Sequence, residues 1–137
     1  MLKFIFYFLF FLFYSSLSFS QVNPDIKWRK ITLDQFELIY DSEQQQLAEI
    51  YASRLSGVLQ KLKPYFEQIP KKTTVVLNDQ TDLTNGYATV LPYPMVMIFP
   101  VLPSAHETIG EYGDWANEIF MHEYTHILAM SQRRGTV

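Results

Sequence analysis

The stretch from Asp114 to Ser131, DWANEIFMHEYTHILAMS, constrains the fold more than any other part of the chain. Asp114 is a suitable N-cap for a helix, and Gly135 lies a few residues beyond its end. Apolar residues cover nearly the whole circumference of this helix and leave only a thin polar strip. The pattern therefore predicts a helix of about 18 residues that is buried in the core.

Two histidines and a glutamate lie in the middle of this helix. At about 100° per residue, His122 and His126 are roughly 40° apart on one face, so both imidazoles can reach a single ion. Glu123 lies about 100° from His122, where its carboxylate can take a proton from a water molecule. Such residues are costly in a buried helix unless a cation satisfies them. The spacing predicts Zn²⁺ bound by His122 and His126, with Glu123 catalytic; the alternative is core histidines bonded to carbonyls and a salt-bridged glutamate.

A third zinc ligand is not evident in the sequence. Glu118 precedes His122 by one turn, but Glu118 and His126 are roughly 12 Å apart along a helix, too far to share one ion. Glu118 is expected to orient a histidine or to be solvated, and His106, in the preceding loop, carries little weight as a ligand. The tail after the helix has no turn-helix pattern. We therefore interpret the chain as the N-terminal part of a longer enzyme or as a truncated gene product.

The N-terminus has the pattern of a secretory signal. Lys3 is followed by an apolar run from Phe4 to Tyr14 and by the small residues Ser18 and Ser20. This run of about 11 residues is shorter than the ~20 that a membrane span requires, which disfavours an uncleaved anchor. We expect residues 1–20 to be a signal peptide. The mature protein would then begin at Gln21, be periplasmic or extracellular, and keep no stable membrane anchor.

The mature segment is expected to be one folding unit without disulfides, because the chain contains no cysteine. Its net charge of −3 gives no indication of a nucleic-acid partner. The stretch from Ile31 to Tyr40 alternates in its second half and predicts a strand. Residues Ser42 to Gln45 form a capping box, which predicts an amphipathic helix that ends before Pro64.

The middle of the chain is predicted to add two strands. Thr73 to Leu77 is a β-branched run typical of a buried strand, and Asn85 with Gly86 favours a tight turn with positive φ angles. Tyr93 to Phe99 is an extended apolar run with prolines around it, which predicts a strand at the edge of the sheet. Such an edge can be blunted and silent or can pair with an extended peptide; the sequence alone favours the silent edge.

The segments NGYATVLPYPMVMIFP and GEYGDWANEIFMHEYTHILAM resemble the peptidase MA-like gluzincins. These are exported metallopeptidases often found in front of a WD-repeat-like β-propeller. The resemblance spans roughly Trp28 to Met130 and is most specific from Asn85 onward. It implies an α+β, zincin-like N-terminal lobe, with a small mixed or antiparallel sheet packed on an amphipathic helix and on a buried His-Glu-x-x-His helix. By this likeness His122 and His126 match the zinc histidines, and Glu123 matches the catalytic glutamate.

In that family an edge strand borders the substrate cleft, and a glutamate on the next helix is the third zinc ligand. The resemblance therefore implies that residues 21–137 are the N-terminal part of a zinc metallopeptidase domain whose substrates are peptides or proteins. No position matches the third ligand, the later residue that would steady the oxyanion, or the C-terminal β-propeller expected in a full-length protein. The alternatives are a non-catalytic exported domain that is stabilised by metal or binds peptides, and a structural exported domain in which the motif is inert. The substrate contacts implied by the matching strand are Tyr93, Met95, Val96, Met97 and Ile98.

Overall fold

Short β-branched or alternating segments form strands and two longer amphipathic segments form helices. A computed structural model describes residues 25–80, 84–101 and 114–132 of the chain. The predicted α+β class is confirmed within these ranges. The elements are β1 (Trp28–Thr32), β2 (Phe36–Asp41), α1 (Gln45–Leu62), β3 (Thr73–Leu77), β4 (Thr84–Thr89), β5 (Met95–Pro100) and α2 (Trp115–Ser131).

The five described strands form one mixed sheet in the order β1-β2-β3-β5-β4. The three central strands β2, β3 and β5 are parallel, whereas β1 and β4 pair antiparallel at the two edges. Helix α1 connects β2 to β3, as parallel neighbours require a crossover. Because α1 contacts both β2 and α2, and α2 contacts β4 and β5, the two helices cover the same face of the sheet.

The predicted strand from Ile31 to Tyr40 is correct only in its second half. Phe36, Leu38 and Tyr40 alternate as buried residues of β2. Ile31 instead belongs to β1, which pairs with β2 across a tight turn closed by the Leu33 N–H donating to the Phe36 carbonyl at 2.9 Å. The continuous prediction was wrong because a hairpin and a long strand have the same local composition when the turn lacks glycine and proline.

Helix α1 confirms the predicted amphipathic helix and its end before Pro64, which lies in a following 3-10 turn. The predicted capping box at Ser42 is wrong. The Asp41 carboxylate accepts the Glu43 N–H at 3.2 Å, and a 3-10 turn precedes the helix. An aspartate one residue earlier is thus already placed to accept the free N–H. The buried residues of the helix are Ala48, Tyr51, Leu55, Val58 and Leu59.

Strand β3 forms as predicted, but the interpretation of Asn85 and Gly86 as a turn is wrong. Both residues lie inside β4, where they pair with Phe99 and Ile98 of β5. The φ of Gly86 does not lie in the positive region. A glycine is therefore needed at position 86 because β4 packs closely on α2 there, and not because the chain makes a left-handed turn.

Strand β5 occupies most of the predicted run from Tyr93 to Phe99, but its predicted edge position is wrong. It is paired on one side with β3 and on the other with β4. The prolines do not interrupt these ladders, because Pro92 and Pro94 precede the strand and Pro100 is its last residue. Proline at a strand boundary is compatible with a central strand, so the edge lies one strand further out, at β4.

Three aromatic rings fix α2 on the sheet. The Phe36 ring of β2 packs edge-on against Phe120 and Tyr124 of α2, with centroid distances of 5.5 and 5.2 Å. Phe120 and Tyr124 stack on each other at 5.3 Å. Because all three side chains are fully buried, this cluster sets the rotation of α2 about its axis and thereby decides which residues face solvent.

Several predictions fall outside the residues that the structure describes. These are the signal peptide of residues 1–20, the loop residue His106 and the glycine at position 135. In the described part of the chain, neither helix has the length and apolarity needed to cross a membrane.

Candidate metal and catalytic site

Both ends of α2 are attached to the rest of the fold. At its start, Asp114 Oδ1 accepts the Asn117 N–H at 3.3 Å, which confirms the predicted N-cap, and Asp114 Oδ2 pairs with Arg54 Nε of α1 at 2.7 Å. At its end, Gln132 Oε1 accepts the backbone N–H groups of Glu67 and Gln68 at 3.2 and 3.1 Å. The same side chain donates through Nε2 to the carbonyls of Gln68 and Leu128. These bonds hold the helix at a defined height above the sheet.

Helix α2 is not buried all round, which corrects the prediction from its composition. Its inner face packs on the sheet and on α1, but its outer face is open. The exposed apolar residues of this face, Ala129 and Met130, were wrongly predicted to be buried, because the composition of a helix does not show how far the sheet extends beneath it. The buried residues are Ile119, Phe120, Glu123, Tyr124, Ile127 and Leu128, and the exposed ones are Glu118, His122, His126, Ala129 and Met130.

The two histidines meet on this open face, as their spacing predicts. The Nε2 atoms of His122 and His126 are 3.2 Å apart, and the rings cross at 82° with centroids 4.9 Å apart. Two nitrogens that bind one tetrahedral zinc at ~2.05 Å lie roughly 3.3 Å from each other. The donor atoms are thus spaced as ligands of one ion. The same distance also fits a hydrogen bond between two imidazoles of different protonation.

Glu123 lies beside the histidines but deeper, with only 6% of its surface exposed. No residue in the described ranges forms a hydrogen bond or ion pair with its carboxylate, which is an expensive arrangement for a charged group. The side chain lines a depression of about 340 Å³ between β4 and α2, close to the lower limit of ligand pockets. The other residues that line it are Thr84, Asn85, Trp115, Glu118, Ile119 and His122.

A second depression flanks the histidines on their other side and is lined by Glu118, Met121, His122, Thr125 and His126. Glu118 therefore borders both depressions, but it is exposed and forms no hydrogen bond to either histidine. In the described part of the chain, no third histidine, aspartate, glutamate or cysteine joins the pair as a metal-binding group. The structure thus brings together His122, Glu123 and His126, and Glu118 stays at the rim.

The residues predicted to contact substrate do not lie on an edge strand of the described sheet. Val96 and Ile98 are fully buried, and the backbone of β5 is paired on both sides. Tyr93 precedes the strand, while Met95 and Met97 are part of the same doubly paired ladder. Among the described strands, the one at the sheet edge next to Glu123 is β4. Sequence reasoning missed this strand, although a glycine inside a strand pattern signals close approach of another element.

Tyr124, the residue after Glu123, serves the core. Burial raises the pKa of Tyr124 to about 12, while the neighbouring Thr73 hydroxyl acts in the opposite direction. Neither hydroxyl has a hydrogen bond of good geometry within the described residues. Since Tyr124 is fully buried against Phe36, it is a packing residue and not a proton donor of the site.

The geometry defines a class of site: two imidazole nitrogens spaced as ligands of one ion, and next to them a carboxylate that lines the same depression as His122 and has no partner within the described ranges. No protein-family model, curated protein or solved structure matches the chain. Chemically, the paired Nε2 atoms are ligands of the kind that zinc uses, and the Glu123 carboxylate is a group that can accept a proton.

Proposed function

We propose that this protein is an exported zinc-dependent metallopeptidase. The observation that carries the proposal is the 3.2 Å separation of the His122 and His126 Nε2 atoms, together with the neighbouring buried carboxylate of Glu123, which has no hydrogen-bond or ion-pair partner among the described residues. The histidines would hold zinc through Nε2, and the third protein ligand is expected outside the described ranges. When bound, zinc supplies Lewis-acid chemistry, because it polarises a peptide carbonyl and makes water more acidic.

Glu123 acts as the general base in this proposal. A carboxylate oxygen takes a proton from the attacking water while the water oxygen forms a bond to the carbonyl carbon of the peptide. The proton then passes from Glu123 to the nitrogen of the leaving amine as the C–N bond breaks. The low exposure of Glu123 supports this role, because a carboxylate with few water molecules around it can exchange its proton with the substrate in preference to bulk solvent.

Substrate would bind as an extended peptide along β4, and not along β5 as the family resemblance implied. An edge strand presents alternate backbone N–H and C=O groups to a partner. The Gly86 N–H donates to the side-chain oxygen Oδ1 of Asn85 at 2.8 Å. This local bond is one that an N–H facing away from β5 can form. By the alternation of an antiparallel ladder, the N–H of Ala88 faces the same way. The depression beside Glu123 would hold one substrate side chain.

A non-catalytic exported domain that is stabilised by metal or binds peptides is the second candidate. The observation that favours it is that the described residues supply two candidate ligands, one fewer than the three protein ligands of a catalytic zinc site. A metal-stabilised domain would also contain zinc, so hydrolysis is the measurement that separates the two candidates. A domain of the second kind would bind zinc and leave a protein substrate intact.

The test is zinc content together with peptide hydrolysis, measured on the protein expressed from its native gene. Wild type should contain one zinc per chain by mass spectrometry and cleave a generic protein substrate such as casein. His122→Ala and His126→Ala should each lose zinc and hydrolysis together, because two protein ligands do not retain a catalytic zinc. Zinc binding should also weaken as the pH falls, since protonated imidazoles do not bind metal.

The matched control is Gln68→Ala, away from the histidines and with only its backbone used by Gln132. This variant should keep both zinc and hydrolysis. A wild-type protein without stoichiometric zinc, or histidine variants that keep it, would refute the proposed site. Zinc without hydrolysis would favour the second candidate.

A further inference from the structure

Gly86 of β4 lies directly against the side chain of Glu123. A Cβ atom added to Gly86 would lie 2.8 Å from Glu123 Cγ and 3.3 Å from Glu123 Cδ. It would also lie 3.1 Å from the carbonyl oxygen of Met97 on the neighbouring strand. The first distance is shorter than carbon atoms in contact tolerate, because their optimal separation is about 3.5–4.0 Å. Any larger residue at position 86 therefore displaces either the strand or the glutamate.

The position of Gly86 in the ladder explains this approach. Side chains alternate along a strand, so Thr84, Gly86 and Ala88 share the face of β4 turned toward α2, whereas Asn85 and Tyr87 are exposed. Thr84 and Ala88 place side chains on this face, whereas Gly86 contributes only backbone atoms to it. The backbone of β4 thereby closes over the stem of Glu123, between α2 and the sheet edge.

This contact restricts the glutamate at the two atoms that determine where its carboxylate points. Cγ and Cδ both lie within 3.3 Å of the place where a Cβ of residue 86 would be, so the backbone of Gly86 borders them on that side. The carboxylate oxygens have no hydrogen bond in the described ranges that could orient them. Steric packing by the strand takes the place of such a bond. Reacting groups held by packed neighbours lose little freedom on reaction, and displacement by about 1 Å can lower a rate 10²-fold.

We infer that Gly86 is a positioning residue for Glu123, which it holds in the orientation needed for proton transfer. The inference rests on the proposed function, because it assigns Gly86 a task in the proposed hydrolysis. It also explains why a glycine lies inside β4 with no positive φ to require it. Gly86 acts through Glu123 and not on the metal ligands, so its replacement should leave metal binding intact.

The first experiment compares Gly86→Ala with Gly57→Ala in the protein expressed from its native gene. Gly86→Ala should lower kcat by about 10- to 100-fold, change KM by less than about threefold and keep zinc at the wild-type level. Gly57 in α1 is the matched control, because a Cβ there meets nothing within 4 Å. Gly57→Ala should leave kcat, KM and zinc unchanged. An active wild type with unchanged kcat in Gly86→Ala would overturn the inference while the proposed function stands.

The second experiment measures the packing without zinc or turnover. In metal-free protein, Gly86→Ala should lower Tm by roughly 5–10 °C, as expected for overpacking. In the Glu123→Ala background Cγ and Cδ are absent, so the same substitution should lower Tm by less than half as much. The contact with Met97 persists in both backgrounds and cancels in this comparison.

Equal losses of Tm in both backgrounds would overturn the inference, because the clash would then not involve Glu123. If Gly86→Ala alone fails to fold, the double variant must still fold with a Tm near that of Glu123→Ala, or the inference is wrong. A wild type that lacks both zinc and hydrolysis refutes the proposed function and with it the catalytic task of Gly86. The two failures are therefore distinguishable.

Discussion

Replacing Glu123 with glutamine should raise stability while it abolishes most activity. The side chain is 6% exposed and has no hydrogen-bond or ion-pair partner in the described ranges. The substitution therefore breaks no bond in that part of the protein and removes a charge that is poorly solvated. Glutamine has almost the same shape, so the close contact with Gly86 is retained.

The sizes of the stability gain and of the activity loss follow from the charge that Glu123→Gln removes. Relief from burying an unpaired charge is offset in part by the buried amide, which leaves a gain of about 1 kcal/mol in the free energy of unfolding of the metal-free protein. For a domain of this size that gain corresponds to a Tm increase of roughly 4–8 °C. Loss of a general base should lower kcat by about 10²–10⁴. Zinc should remain bound, because Glu123 is not a ligand in the proposed site.

The assay combines thermal unfolding in EDTA, zinc analysis and peptide hydrolysis. Stability must be compared without metal, because a nearby cation would stabilise the carboxylate of wild type. Glu49→Gln is the control: Glu49 is exposed on α1 and accepts Gln45 Nε2 at 3.0 Å. Its substitution should change stability by less than about 0.5 kcal/mol and leave kcat unchanged. A Glu123→Gln variant that loses stability, loses zinc or keeps its activity would contradict the roles given to Glu123.

Three further predictions concern the strands, the end of α2 and the N-terminus. Ala88→Pro, on the outer side of β4, should fold and raise KM severalfold, whereas Val96→Pro should prevent folding because β5 is paired on both sides. Enzyme kinetics and circular dichroism test this pair, and equal effects of the two substitutions would contradict the strand order. Gln132→Ala should lower the free energy of unfolding by about 1–3 kcal/mol, because the Gln132 side chain makes four hydrogen bonds to backbone groups. Urea denaturation measures this loss, and an unchanged urea midpoint would show that these bonds do not hold α2. N-terminal sequencing of exported protein should begin at Gln21, and an intact Met1 would disprove the signal peptide.

The sequence by itself determined the local features of the fold. The start of α2 at Asp114, the end of α1 before Pro64 and the buried alternation of β2 were all predictable. So was the meeting of His122 and His126, because residues four apart on a helix lie one turn apart whatever surrounds them. Each of these features depends on dihedral preferences or on a helical period, which act over a few residues.

Only the tertiary structure decided which surfaces are open. The chain order places β4 between β3 and β5, but the sheet places it outside β5, and this puts the outer edge of the described sheet beside Glu123. The sequence also could not distinguish the open face of α2 from its buried face, because apolar residues occur on both. Gly86 is the clearest case. Its local sequence favoured a turn, but the requirement for glycine comes from the side chain of Glu123, which is distant in the chain and packs against position 86. Strand order and close packing depend on contacts between distant segments, which short-range patterns do not encode.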